Sequence, residues 1–275
     1  MDWIQITNLP DFAAFAVECG VARLMLDLES LGKHARQGGL GTFISDHRAQ
    51  DLAPLRAAAP RAHLIVRINP WHEGSVAEIE HAVGHGADSV MLPMFEQPAQ
   101  LRACAEAIGG RARLIALLET RGALDSLDAW ADQPGLSEIY VGLNDLHRQL
   151  ELRFMFEPLA DGTVERVARA AHARDLRFGF GGIARIDEGL LPGRVVLGEH
   201  LRLGSQSVIL SRTFNREMFE SPDSDWRSTY RAQLDRLRHC ETVLAGRSAE
   251  EVESDRLLAC DLIGKAARTL VAARA

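Results

Sequence analysis

Lysine is almost missing from this 275-residue chain: of 31 basic residues only Lys33 and Lys265 are lysines. Lys33 lies in a glycine-rich stretch and Lys265 in a C-terminal helical pattern, so neither ends an apolar run. Carbon–carbon bond chemistry through a protein Schiff base needs a desolvated lysine in the pocket. A chain of this composition that handles an enolate must use a metal instead. Cysteine is also scarce. Cys19, Cys104, Cys240 and Cys260 share no paired or metal-type spacing, and read as reduced thiols of a cytoplasmic protein. No apolar stretch comes near the length of a membrane span, which predicts no membrane partner. The start, Met1-Asp2-Trp3-Ile4-Gln5, lacks the basic-then-apolar pattern of a secretory signal. The net charge of -7, with no basic cluster interleaved with aromatics, argues against nucleic acid.

What the chain does have is apolar content, 47% of the residues, enough for a large core. That content is arranged as short aliphatic runs alternating with helical patterns. Runs of this length bounded by polar residues read as strands buried on both faces of a parallel sheet. The sequence predicts strands at Trp3–Thr7, Ala22–Leu28, His63–Asn69, Ala87–Phe95, Leu114–Thr120, Ile139–Leu146, Leu176–Gly182 and Ser207–Phe214. Helices are predicted at Pro10–Cys19, Asp46–Ala59, Ser75–His85, Pro98–Ile108, Arg121–Gln133, Thr163–Arg174, within Glu188–Leu203, and from 225 to 274. Ser30–Phe43, with Gly32, Gly38, Gly39 and Gly41, has no period and reads as a mobile loop. Eight strand–helix units without a linker predict an α/β fold, a (β/α)8 TIM barrel over residues 1–220 with extra C-terminal helices over 221–275. A doubly wound open sheet is the alternative.

The polar residues fall where such a barrel works, at the C-terminal ends of its strands: Asp27, Glu29, Arg67, Asn69, Glu96, Glu119, Asp145 and Arg212. An acid closing an apolar run has no packing role. Glu119 and Asp145 end neighbouring strands, so the right-handed crossover puts them on one rim, where two carboxylates suit a hard divalent cation. The plainer reading of the others is a set of rim salt bridges, such as Glu29 with Arg67.

The segments Leu-Asp-Leu-Glu (26–29), Ile-Val-Arg-Ile-Asn-Pro (65–70), Val-Met-Leu-Pro-Met-Phe-Glu (90–96), Leu-Ile-Ala-Leu-Leu-Glu-Thr (114–120) and Val-Gly-Leu-Asn-Asp-Leu (141–146) resemble, in this order, the HpcH/HpaI aldolase and citrate lyase β-subunit family. The likeness covers about residues 1–215. It implies a barrel of the pyruvate/phosphoenolpyruvate superfamily that makes or breaks a C–C bond next to a 2-oxo acid or an acyl thioester. It further implies Glu119 and Asp145 as ligands of Mg²⁺ or Mn²⁺, and Arg67 as the arginine on the substrate oxygens. The expected substrates are pyruvate or oxaloacetate with an aldehyde, or an acyl-CoA, and the expected assembly is a homo-oligomer. Asp27, Glu29, Asn69 and Arg212 are candidates to contact substrate. The amides of Gly122 and Ala123, at the start of the following helix, can take its carboxylate.

The chain departs from the family where the aldolase branch has its basic histidine, directly after the strand-2 acids; Ser30 stands there. His34 and His147 are the candidates to replace it. Asp-Leu-Glu followed by Lys33 and Arg36 looks more like the citrate-lyase branch. The usual Gly-Pro before the last acid is here Gly142-Leu143-Asn144. Gly179, Gly181 and Gly182 with Ser211 and Arg212 admit a second reading, a phosphate cradle after strands 7 and 8, or simply room for neighbouring strands. Apolar positions beyond what closes a barrel, among them Leu234, Leu237, Val243, Leu257, Leu258, Leu262 and Ile263, predict C-terminal helices packed on the barrel or on a second subunit. A barrel that binds a metabolite without turnover is the competing class.

Overall fold

The computed structural model describes residues 1–32 and 46–272. Eight parallel strands close on themselves in sequence order: β1 (Asp2–Ile6), β2 (Arg23–Asp27), β3 (His63–Arg67), β4 (Ser89–Leu92), β5 (Arg113–Leu118), β6 (Leu136–Val141), β7 (Arg177–Ile183) and β8 (Ser207–Leu210). With the surrounding helices this is the predicted (β/α)8 barrel, and the open sheet is ruled out. Each strand alternates between two apolar environments. Inward side chains, Ile4, Met25, Ile65, Met91, Ile115 and Tyr140, fill the barrel, while Leu24, Leu26, Leu64, Val66, Val90 and their equivalents pack under the helices. Burial on both sides is why the strands read as unbroken aliphatic runs.

Several boundaries differ from those the sequence suggests. β4 is only four residues long, and β6 stops at Val141, so Asp145 lies in the first turn of the helix Leu143–Gln149 instead of on the strand. The predicted 46–59 helix is a 3-10 turn, Ala49–Asp51, followed by a helix, Leu52–Ala58. The 121–133 helix breaks at Ser126 into Arg121–Asp125 and Leu127–Trp130, and Trp130 bridges the pieces by donating its indole N–H to Ala123 O at 2.8 Å. The C-terminal helix is two, Trp226–Ala245 and Ala249–Ala272. Ser248 starts the second with a capping box: its N–H donates to Glu251 Oε2 at 2.7 Å and its Oγ accepts from the Glu251 N–H at 3.2 Å.

These last helices pack on their own barrel. Tyr230, Leu234, Leu237, Leu244 and Ile263 belong to the same core as the strands. Tyr230 donates its hydroxyl to Gln5 Oε1 at 3.0 Å, and Phe12 packs edge-on against Trp226 and Tyr230. Val243, Leu257 and Leu258 stay exposed. All four cysteines are free thiols, and among the described residues no helix is long and apolar enough to cross a membrane.

Candidate active site

β2 and β3 set the first half of the site. Their register makes Asp27 and Arg67 direct partners, and the side chains meet as a bidentate pair: Arg67 Nε donates to Asp27 Oδ1 at 2.8 Å and Nη2 to Oδ2 at 2.7 Å. Arg67 Nε lies a further 3.6 Å from Glu29 Oε2. The side chain of Arg67 is only 17% exposed. Burial disfavours its charge, but Asp27, through charge and hydrogen bonds, and then Glu29 and Glu119 outweigh that, raising its pKa and keeping it a cation. The rim salt bridge foreseen between Glu29 and Arg67 is therefore secondary to the pair with Asp27. Two planar bonds fix the plane of the guanidinium, which a lysine could not achieve. From the other side, the Asp27 backbone N–H donates to His47 Nδ1 at 3.0 Å.

β5 and β6 set the second half. Glu119 follows directly on β5 and is buried. Thr120 beside it donates its hydroxyl to Phe95 O at 2.6 Å and accepts the Ala123 N–H at 3.0 Å, so the turn carrying Glu119 is tied to β4 and to the next helix. The Met94 N–H donates to Glu119 Oε1 at 3.1 Å. To aim that N–H, Met94 adopts φ 52°, a left-handed conformation unusual for a side chain of its size. Gly142, directly after β6 and level with Glu119, leaves space on the opposite side: a Cβ there would sit 2.5 Å from Glu119 Oε2. The Glu119 carboxyl is held well above the usual carboxylate range, first by burial, then by the charge of Glu29; Arg67 opposes and Asp145 adds to the rise. Glu29, Arg67, Glu119 and Asp145 thus share one field at the rim. Asp145 itself is buried and lies 3.9 Å from Arg148 Nη1.

Among the described residues no cluster of three or more His, Cys, Asp or Glu is grouped to hold a metal; the sequence predicts two ligands, Glu119 and Asp145, and the charge of Asp145 reaches the Glu119 carboxyl. The donor set suits a hard cation. Both groups are carboxylates, the ionised form of Glu119 is disfavoured by burial and by two neighbouring acids, and Gly142 keeps the approach to Oε2 clear.

Other predicted residues have different tasks. Asn69 is spent on structure: its Oδ1 accepts the Ser30 N–H at 2.8 Å, the Leu31 N–H at 2.9 Å and the Ser30 hydroxyl at 3.3 Å, and its Nδ2 donates to Glu78 Oε1 at 2.7 Å. It clamps the chain leaving β2 to the helix that carries Glu78. The Ala123 amide is likewise taken, by the Thr120 cap, and is not presented to a carboxylate. Gly122 is a packing residue, because a Cβ there would meet Glu96 O at 2.6 Å. Glu96 itself is exposed. His147 turns its Nδ1 to Leu143 O at 3.0 Å, and burial lowers its pKa despite that bond. Arg212 sits in the 3-10 turn after β8, exposed, with its pKa lowered by partial desolvation. His34, Lys33 and Arg36 lie outside the described residues. The other lysine, Lys265, is on the C-terminal helix, paired with Asp261 at 2.6 Å. The glycines of β7 make room: a Cβ on Gly179 would lie 2.6 Å from the Tyr140 ring, and Tyr140 donates its hydroxyl to Gly181 O at 2.6 Å.

The model of the HpcH/HpaI aldolase/citrate lyase family matches residues 10–176. No curated protein matches the chain in sequence. Solved structures share its fold at low identity. An HpcH/HpaI aldolase from Desulfitobacterium hafniense is 16% identical with a TM-score of 0.63, over 81% of this chain and 91% of the other. A family protein from Burkholderia cenocepacia is 18% identical with a TM-score of 0.58, over 86% and 93%. The citrate synthase SbnG is 16% identical with a TM-score of 0.60, over 86% and 92%. With the family match extending over more than half of the sequence, from the helix after β1 to the end of the helix before β7 and so across Asp27, Glu29, Arg67, Glu119 and Asp145, this chain belongs to the HpcH/HpaI aldolase/citrate lyase family.

Proposed function

We propose that the protein is a divalent-metal-dependent aldolase or lyase that makes or breaks a C–C bond next to a 2-oxo acid, pyruvate or oxaloacetate, with an aldehyde as partner. One observation carries this reading: a cation fixed in plane, Arg67, and two buried acids, Glu119 and Asp145, converge at the ends of β3, β5 and β6. Glu119 and Asp145 would hold Mg²⁺ or Mn²⁺, which supplies positive charge for the carboxylate and carbonyl oxygens of the oxo acid. Arg67, committed to Asp27 through Nε and Nη2, would use its remaining nitrogen, Nη1, for the oxygen on which charge grows as the C–C bond breaks. Asp27 and Glu29 keep that arginine charged and in place. Ser30 does not act as the base, because its hydroxyl is donated to Asn69. His147 or His34 moves the proton. Copies of the chain associate through the exposed apolar positions of the last two helices, Val243, Leu257 and Leu258.

The direct test is deuterium exchange at the pyruvate methyl group with Mg²⁺ present. Exchange that is abolished by EDTA and by Glu119→Gln, but kept by Ser30→Ala, supports the proposal. Exchange indifferent to EDTA sinks it. A second reading, a malyl- or citramalyl-CoA-type lyase or thioesterase, is favoured by Ser30 standing behind Asp27-Leu28-Glu29. Cleavage of such a thioester without pyruvate exchange would select it, and metal binding without any turnover would point to a binding barrel.

A further inference from the structure

The opposite end of the barrel carries a second polar site. At the N-terminal ends of the strands, below the apolar layer of Ile4, Met25 and Ile65, the inward positions turn charged: Asp2, Arg23, His63, Arg113, Glu138 and Arg177 line a cavity of about 190 Å³. Three guanidinium groups face two carboxylates there. The two acids are already satisfied. Arg23 holds Glu138 through Nη1 to Oε1 at 3.0 Å and Nη2 to Oε2 at 2.8 Å, Ser207 donates its hydroxyl to Oε1 at 2.6 Å, and Arg177 donates to Asp2 Oδ2 at 2.6 Å. Arg113 makes no hydrogen bond or ion pair with a described residue through its side chain. It nonetheless stands close enough to His63 for its charge, with that of the buried Arg23, to add to burial in lowering the pKa of that ring, against the opposing charges of Asp88 and Glu138. A barrel floor built only for stability would match its charges. This one leaves a whole positive charge over, facing a cavity.

We propose that this floor binds a small multivalent oxyanion, a phosphate-like group, between Arg113 and Arg177. A fork of N–H donors matches such oxygens two at a time. The cavity has room for one tetrahedral oxyanion: at ~30 Å³ per water it holds about six waters. The site lies at the far end of the barrel from Glu119 and Asp145, with the apolar layer between, so it is separate from the proposed chemistry and stands whether or not that reading holds.

Inorganic phosphate is the probe, with EDTA present so that no metal at the rim can recruit it. Isothermal titration at fixed ionic strength, with chloride as the balancing anion, should show phosphate binding to the full chain. Arg113→Ala should weaken it at least tenfold, while Arg67→Ala at the opposite rim leaves it unchanged. Arg113 is exposed at the start of β5, so its replacement spares the core, and an unaltered circular-dichroism spectrum and melting temperature confirm that the variant is folded. In the wild-type protein phosphate should also shift the His63 ring resonances. Phosphate binding no tighter than chloride, binding untouched by Arg113→Ala, or binding lost in Arg67→Ala would each overturn the proposal.

Discussion

Glu119 and Gly142 are neighbours across β5 and β6 in a way that only glycine permits: a Cβ on residue 142 would lie 2.5 Å from Glu119 Oε2 and 2.9 Å from Glu119 Cβ. The backbone of Gly142, at φ -84° and ψ 85°, is not itself in the left-handed region. Glycine is required here for space.

Gly142→Ala is therefore expected to fold and to fail at the site. The added methyl displaces the Glu119 carboxylate, and Mn²⁺ affinity, read by electron paramagnetic resonance, should fall about 10- to 100-fold, the range for altered support of a metal ligand. Pyruvate exchange should fall with it while the melting temperature stays within a few degrees. Unchanged Mn²⁺ affinity would show that Glu119 is not a ligand.

Arg67 depends on Asp27 for its orientation. In Asp27→Asn one charge-assisted bond is lost and the amide nitrogen faces a donor, so the guanidinium swings towards Glu29, 3.6 Å away. The expected effect is a loss on the order of 10²-fold in exchange rate, as misplacement of a positioned group typically costs. Arg67→Lys, which keeps the charge but not the fork, should lose as much. A lysine variant with normal exchange would mean that charge alone is used at this position.

The barrel was legible in the sequence because strands buried on both faces must be aliphatic throughout, and eight regular units of that kind at this length favour closure over an open sheet. Glu119 and Arg67 were legible for the same reason: a charge ending an apolar run stands out. Asp145 stood out too, but its place on a helix did not, since Leu143 and Leu146 continue the apolar pattern of β6 into the first helical turn. The left-handed Met94 left no trace, because methionine carries none of the composition signal that glycine would. Asn69 looked like a substrate contact because a polar residue at a strand end has the same appearance whether it faces the pocket or braces the loop behind it. The break at residues 246–248 is absent from the reading of one helix over 225–274; Ser248 and Glu251, at capping-box spacing, are the signal that marks it.

Tyr140 holds β6 to β7 and β8 from inside the barrel. Its hydroxyl donates to Gly181 O at 2.6 Å and accepts the Ile209 N–H at 2.9 Å. Tyr140→Phe keeps the ring and leaves that buried N–H without a partner, which costs about 1–3 kcal/mol. Urea unfolding should show the loss as a lower midpoint with an unchanged slope. A midpoint equal to wild type would mean that water replaces the hydroxyl.

His200 makes the protein sensitive to acid away from the site. The ring is fully buried, stacked on Phe180 at 3.7 Å with planes 3° apart, and bonded through Nδ1 to Ser205 Oγ at 2.8 Å. Burial lowers its pKa from the usual 6.5 to about 3. Between those values the unfolded chain binds a proton that the folded chain refuses, so stability falls as the pH drops from 6.5 towards 3, by about 1.4 kcal/mol per pH unit. Glu119 acts in the opposite direction, because its raised carboxyl takes up a proton earlier when folded. The comparison must therefore be made against His200→Phe, which keeps the stack and removes the titration. Unfolding midpoints measured from pH 7 to pH 4 should decline more steeply in the wild type than in the variant; parallel curves would show that His200 is protonated without penalty in the folded state.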